Sequence, residues 1–459
     1  MLIKRLFALA LLALLTLPAV TTRIYASDEV EYFAFLRSLA FDHDLSFQNE
    51  YQYFHSAGAG GPGFHKTFLG DRYTQAGRRL NFATIGPALL WAPFYGIGHL
   101  AAVATGAPQD GYSQPYITAV AYGSAVYGWL AIFLSAAIAQ QWFGRGLGAA
   151  LAVLVGTPLL FYMYIAPPFS HACATFAVTL SLWTWLRVRE TWSLRGVLLL
   201  GLTVGLMANM RDQAGLFAIG PALDFARWAF RHGDWARALR LALVGTAATI
   251  VGYAPQLLAS RAVNGHFGPH GSIGNKMSWS SPHAFGVLLD LEHGWLLWTP
   301  LALLSLGGLV ALAVGRVRTS SPTSRDDGRW LGVCLLAVAA LQIYINGAVE
   351  SWSVAGSFGH RRFVELTPLL VIGLASLWSL AAANPAHRRP RQILWAVAAL
   401  CVWWNLGLLM QFGTHRMDRM GLRLGDNARQ TFVELPRDAP SLAWRYFTDR
   451  HSFYRQPRQ

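Results

Sequence analysis

The sequence is poor in charge. Asp, Glu, Lys and Arg make up 13% of its 459 residues, about half of the roughly 25% usual in a soluble domain, so a string of water-facing domains is excluded. Lysine is scarcer still: Lys4, Lys66 and Lys276 are the only three, and the other basic residues are arginines. Cysteine is confined to Cys173, Cys334 and Cys401, each inside an apolar run, which rules out a disulfide framework and a cysteine metal spacing. Walker, dinucleotide-glycine and HExxH patterns are missing, so no soluble nucleotide site or zinc-protease helix is indicated. Internal repeats and low-complexity segments are missing as well.

What the chain has is apolar surface. Apolar residues reach 54%, with 18 Trp and 26 Phe, and the mean hydropathy is +0.34. Runs near 20 apolar residues recur along its length, the pattern of an all-α polytopic membrane protein. The net charge of +14 does not make nucleic acid a partner. The basic residues sit in short clusters between apolar runs, where they fix orientation in a bilayer.

Lys4 and Arg5 precede an apolar stretch over 6–20, so the first segment crosses from the cytoplasm outward. A cleavable signal peptide has the same form, and an uncleaved helix is the expectation retained. Further runs lie near 116–139, 146–165, 171–187, 196–210, 212–228, 241–260, 294–315, 330–347, 363–382 and 392–411. Placing the intervening arginine clusters in the cytoplasm gives about eleven spans. It leaves a long first loop, 22–115, on the outer face together with the loop 261–293 and the tail 413–459. Residues 82–104 are long enough to span but contain Pro87 and Pro93. They are expected as a re-entrant or interfacial segment rather than a continuous helix.

The first loop opens SDEVEYFAFLRSLAFDHDLSFQNEYQYF, where Val30, Phe33, Leu36, Ala40 and Phe41 recur at helical spacing. That predicts an amphipathic juxtamembrane helix at the membrane surface. Asp28 is placed to cap it, with Glu31 completing a capping box. The same stretch crowds Asp28, Glu29, Glu31, Asp42, Asp44 and Glu50 into 23 residues, a source of a catalytic base at a membrane exit. His171 begins a span after Pro167 and Pro168, and is either a hydrogen-bonded helix-end residue or a catalytic one. Arg211 and Asp212 interrupt an apolar stretch, either as an internal ion pair or because Arg211 grips a phosphate. His360, Arg361 and Arg362 fall on the outer face against the positive-inside trend. Lys66 and Arg72 raise the same question, and lipid headgroups or a phosphorylated substrate answer it.

Together these features resemble the GT-C superfamily of membrane glycosyltransferases, in particular the branch of protein O-mannosyltransferases and the lipid A aminoarabinose transferase. The resemblance lies in the acidic pair Asp28–Glu29 after the first span, the pattern D-E-x-x-Y-x-x-x-x-x-S-L-x-x-D-x-D-L, GRRLNFATIGPALLWAPFYGIGH, and FGR at 143–145. It covers about residues 1–230 most fully, implying a catalytic module there, additional helices over 231–412 and an outer tail over 413–459. It implies a bacterial inner-membrane enzyme with a cytoplasmic N-terminus and a periplasmic site. That site would transfer a sugar, with inversion, from a polyprenyl-phosphate carrier to a glycan, lipid or protein acceptor. It makes Asp28, with Glu29 and His171, the catalytic candidates. Lys66, Arg72, Arg211, Asp212, His360, Arg361 and Arg362 become the substrate-binding candidates. His171 stands near where relatives carry a second acid, which puts a two-acid, metal-dependent mechanism in doubt. A divalent metal is compatible with the sequence but not required by it. Two other classes fit the same composition: a flippase for a lipid-linked saccharide, and a polysaccharide polymerase or ligase using a diphosphate-linked donor.

Overall fold

The computed structural model describes residues 2–319, 325–354, 356–383 and 388–454. Among them the protein is helical; strand-type pairing is limited to the isolated bridges Ala26–Gly60 and Tyr73–Arg79. The chain divides into two compact units. The first comprises Met1–Ile138, Tyr162–Met277 and Ala337–Gln342, and the second Ala139–Phe161, Ser278–Leu336 and Ile343–Gln459.

The principal helices of the first unit are α1 (Leu2–Thr16), α2 (Ser27–Arg37), α3 (Gly86–Thr105), α4 (Gln114–Phe143, which runs on into the second unit), α5 (His171–Val188), α6 (Leu194–Met210) and α7 (Trp235–Asn264). Those of the second are α8 (Leu301–Ala313), α9 (Arg325–Ala348, part of which belongs to the first unit), α10 (Thr367–Ala382), α11 (Arg388–Gly413) and α12 (Leu435–Thr448). Six helical stretches are long and apolar enough to cross a membrane: Gly86–Thr105, Gln114–Phe143, Trp235–Asn264, Asp326–Ala348, Arg361–Ala382 and Arg388–Gly413. Leu9–Ala19, Gly146–Val155, Leu194–Met210 and Leu301–Ala313 are shorter apolar helices. The chain is an integral membrane protein.

Three local expectations need correction. Residues 86–105 form one continuous helix and not a broken segment. Pro87 falls in its first turn, where no intrahelical N–H bond is lost, and the helix continues through Pro93. The run at 212–228 is not one apolar helix. A 3₁₀ segment, Asp212–Ala218, leads into Ile219–His232, whose Asp224 is buried against Arg189 (2.7 Å) and Trp185 Nε1 (2.9 Å). Finally, α2 does not lie on a surface with one face in water. Glu29, Val30, Glu31, Phe33, Ala34, Phe35 and Leu36 are all buried, because the loop that follows folds over it. Phe33 meets Phe54, Phe35 meets Phe47, and Tyr51 meets Phe64 edge to face. That aromatic cluster gives the first loop a core of its own.

Helices α6 and α7 approach closely because glycine lines the contact. A Cβ added at Gly201 would strike the backbone of Gly245, and one at Gly205 the backbone of Gly252. The G-x-x-x-G step of α6 therefore permits backbone-to-backbone packing, the usual device where lipid offers no hydrophobic drive.

Candidate functional site

Three helix ends meet in the first unit: the start of α2, the start of α5 and the end of α6. Glu29 shapes the first of them. Its Oε2 accepts hydrogen bonds from the backbone amides of Tyr25 (2.8 Å) and Ala26 (3.0 Å), satisfying donors that the helix start would otherwise strand. The capping carboxylate is thus Glu29, and neither Asp28 nor Glu31 as the spacing suggested. Burial pushes Glu29 up to about 7, against the lowering effect of those two amides and of Arg23. Glu31 serves a second structural end. Its carboxylate accepts from the Phe82 amide at 2.6 Å, and its carbonyl from Asn81 Nδ2 at 3.0 Å.

Asp28 is left half-buried in the first turn of α2. Tyr32 follows four residues on, so the two side chains share a helix face. Ser170 Oγ lies 2.9 Å from the Tyr32 hydroxyl, and the next residue is His171, the buried first residue of α5. Arg211 Nη1 comes to 2.8 Å from His171 Nδ1 and 3.2 Å from Nε2. A guanidinium can only donate, so the ring nitrogen it bonds is unprotonated and His171 is neutral while that bond stands. Tyr32 registers the field of the whole group. Burial raises its hydroxyl, Arg211 lowers it, and Asp28 and Glu31 raise it further.

Arg211 owes its position to a polar lock between α6 and α7. Pro255 interrupts the hydrogen bonding of α7. Asn209, two residues before Arg211, fills the gap: its Oδ1 accepts from the Gln256 amide at 3.0 Å, and its Nδ2 donates to the carbonyls of Gly252 and Gly205. Gln256 Oε1 in turn accepts from the Ile85 amide at 2.8 Å, and Thr84 Oγ1 donates to the Met210 carbonyl at 2.7 Å. The chain then leaves α6 extended at Arg211, with φ −161° and ψ 133°. Sequence reasoning missed Asn209, Gln256, Thr84, Tyr32 and Ser170. Only Tyr32 carried a signal, its four-residue spacing from Asp28.

The other candidates fall elsewhere. Asp212 is exposed and accepts from the Tyr253 hydroxyl at 2.9 Å. Lys66 and Arg72 are exposed, and no described contact joins them to Asp28, His171 or Arg211. The buried arginine of that loop is Arg79, which donates to Gln48 and to the Gly70 carbonyl and lies over Tyr73 at 4.3 Å. His360, Arg361 and Arg362 belong to the second unit. There His360 is buried against Phe363, with ring centroids 4.6 Å apart, and Arg362 donates to Ser351 Oγ at 2.9 Å. Among the described residues no three His, Cys, Asp or Glu side chains gather so as to hold a metal ion.

Fold and site therefore define an integral membrane protein with a cationic and acidic centre where helix ends converge. Two crystal structures are similar to it. One is ArnT from Cupriavidus metallidurans bound to undecaprenyl phosphate, at 16% identity and a TM-score of 0.46, over 95% of this chain and 80% of that one. The other is ArnT from Cupriavidus metallidurans in the apo state, at 16% identity and a TM-score of 0.45, over 96% and 80%. At this level of likeness no residue role passes between the chains. No family model and no curated protein matches the sequence.

Proposed function

We propose that the protein is an inverting glycosyltransferase that moves a sugar from a polyprenyl-phosphate carrier to an acceptor on the outer face of the membrane. The observation that carries this reading is the convergence of Asp28, Tyr32, His171 and Arg211 at three helix ends. The centre pairs a half-buried carboxylate with a fixed guanidinium, the two charges that the reaction needs. The GT-C resemblance of about residues 1–230 points to the same reading.

In the reaction an acceptor hydroxyl gives its proton to Asp28, and its oxygen bonds to the anomeric carbon. The bond from that carbon to the phosphate oxygen breaks on the opposite face, and polyprenyl phosphate departs with the electron pair. The leaving group is already an anion, so catalysis is largely orientation and cationic compensation. Arg211 supplies the cation, and its planar fork suits phosphate oxygens. His171 orients Arg211 from behind, as a neutral acceptor. Glu29 holds the backbone that carries Asp28. Lys66, Arg72, Asp212 and Arg361 are assigned to donor or acceptor binding outside this centre, and His360 and Arg362 to the packing of the second unit. The donor's tail reaches it sideways from the bilayer.

Mass spectrometry of lipids that copurify with the wild type and with Arg211→Ala tests the assignment. A polyprenyl monophosphate, bare or sugar-bearing, that is present on the wild type and depleted on the variant is the expected result. A polyprenyl diphosphate oligosaccharide would move the assignment to a polymerase or a flippase. Bulk phospholipid alone in both samples would leave Arg211 a structural residue and overturn the reading.

A further inference from the structure

The tail beyond α11 carries an apolar stripe with no covering partner among the described residues. In α12, Pro436, Pro440, Trp444 and Phe447 follow at four-, four- and three-residue steps and are all exposed, Trp444 at 72% and Phe447 at 84%. Leu435 and Leu442, on the opposite side of the helix, are buried. Val433, just ahead of α12, continues the exposed surface. Two nearby acids are neutralised, Asp438 by Arg416 at 2.5 Å and Glu434 by Arg429 at 3.0 Å. Arg437 remains as a cation beside the stripe, while Arg445 donates to Ser452 Oγ at 2.6 Å and to its carbonyl at 3.1 Å.

The neighbouring span shows what lies against that stripe. Along α11, Ile393, Trp395, Leu400 and Trp403 are exposed, as an acyl-facing surface must be in a protein without its bilayer. From Trp404 to Gly413 no residue is exposed. The tail covers this end: Trp403 Nε1 donates to the Thr431 carbonyl at 3.2 Å, and Gln411 Nε2 to Thr431 Oγ1 at 2.8 Å. Gln411 also pairs with Asn427 in both directions, at 3.2 and 2.8 Å. The lipid-facing surface of α11 thus stops at Trp403, and Gln411, which holds the tail, closes the apolar run 392–411 at the end of the span. The tail is hydrogen-bonded at that level, and α12 starts four residues beyond Thr431.

We infer that α12 lies in one membrane interface, with the stripe Pro436–Pro440–Trp444–Phe447 against lipid acyl chains and Arg437 reaching to headgroup phosphates. The partner is the bilayer itself. Aromatic side chains beside a snorkelling arginine are the chemistry that recognises it.

The test uses the full chain in nanodiscs with Cys401→Ala, since Cys173 and Cys334 are buried and escape labelling. An environment-sensitive fluorophore is attached at Trp444→Cys, Phe447→Cys or Ala439→Cys, the last exposed and about 140° round the helix from Trp444. Acyl-brominated lipids should quench the labels at 444 and 447 at least about threefold more than the label at 439, and aqueous iodide should do the reverse. If either cysteine variant fails to fold, the other reads the same stripe. Iodide quenching at 444 and 447 equal to that at 439 would overturn the inference. Shielding there from both quenchers would also overturn it, since a protein surface would then be the occupant.

Discussion

Arg211 beside His171 in the first unit and Arg362 near His360 in the second bring the same residue types together in different surroundings. In the first unit the histidine is bonded to the arginine, and carboxylates stand on the adjoining helix. In the second unit His360 is buried against Phe363, while His293 is stacked on Trp298 and hydrogen-bonded to the Ser357 carbonyl at 3.0 Å. Burial pushes both histidines below their ordinary value, and Arg362 and His293 press His360 down further. The first arrangement keeps a guanidinium and carboxylates together at a partly open place. The second holds its histidines uncharged in a packed interior, with Arg362 half-exposed beside them. An arginine beside a histidine therefore says little until the carboxylates and the burial around it are known.

The sharpest way to break this comparison is to remove the cation from the first arrangement. Arg211→Ala should lower turnover of a polyprenyl-phosphate sugar by roughly 30- to 1000-fold, the usual cost of losing one charge-stabilising donor, about 2–4 kcal/mol. The loss should fall in kcat, since the leaving phosphate gathers its charge in the transition state. Arg362→Ala, by contrast, should leave kcat within about threefold of the wild type. Equal losses in the two variants, measured as radiolabelled sugar transferred by purified protein, would make both arginines catalytic or both structural.

Asp28→Asn comes next, with an expected loss of at least roughly tenfold, because the amide keeps the shape but accepts no proton. The acid-side limb of the pH–rate profile should vanish with it. An unchanged profile would show that the proton goes elsewhere.

These two predictions rest on residues that the sequence already made visible, and the reason is physical. A charged residue between apolar runs is expensive, so Asp28 and Arg211 stand out wherever they fall. The long apolar runs likewise announced a helical membrane protein. Far less legible were the residues that place Arg211. Asn209 and Gln256 look like ordinary polar residues inside two helices, and their value arises only when the break at Pro255 comes opposite Asn209. Residues 86–105 misled for a related reason. Proline penalties read from sequence assume a regular hydrogen-bond ladder, whereas Pro87 falls where the ladder has not begun. The cap at α2 was missed by choosing among three nearby acids, which only the path of Tyr25 and Ala26 decides.

A smaller effect sharpens the comparison through stability. Burial raises Glu29 to about 7 and, in spite of Arg37, Glu50 to about 7. A carboxyl group whose folded value lies above its unfolded one binds more protons when folded. Its contribution is fully present below pH 4.5 and is lost as pH rises through about 7, up to about 3 kcal/mol for Glu29. Glu29→Gln should therefore flatten the pH dependence of hydrogen exchange in α2 between pH 4.5 and 7. A slope as steep as that of the wild type would clear Glu29 of the effect.

The second unit should respond in the opposite sense. His293 and His360 have folded values below the unfolded 6.5. The folded state thus binds fewer protons than the unfolded chain, and stability present above pH 6.5 is lost as pH falls below it. Protection of the backbone around 293–298 and 358–366 should drop between pH 6.5 and 5, the range in which α2 gains protection. His360→Gln keeps a polar group of similar reach but cannot take up the proton, so it should flatten that drop and leave α2 untouched. Parallel loss in both units at low pH would mean that acid acts through something they share and not through these histidines. The contrast between a first centre set among carboxylates and a second built on buried, uncharged histidines would then fail.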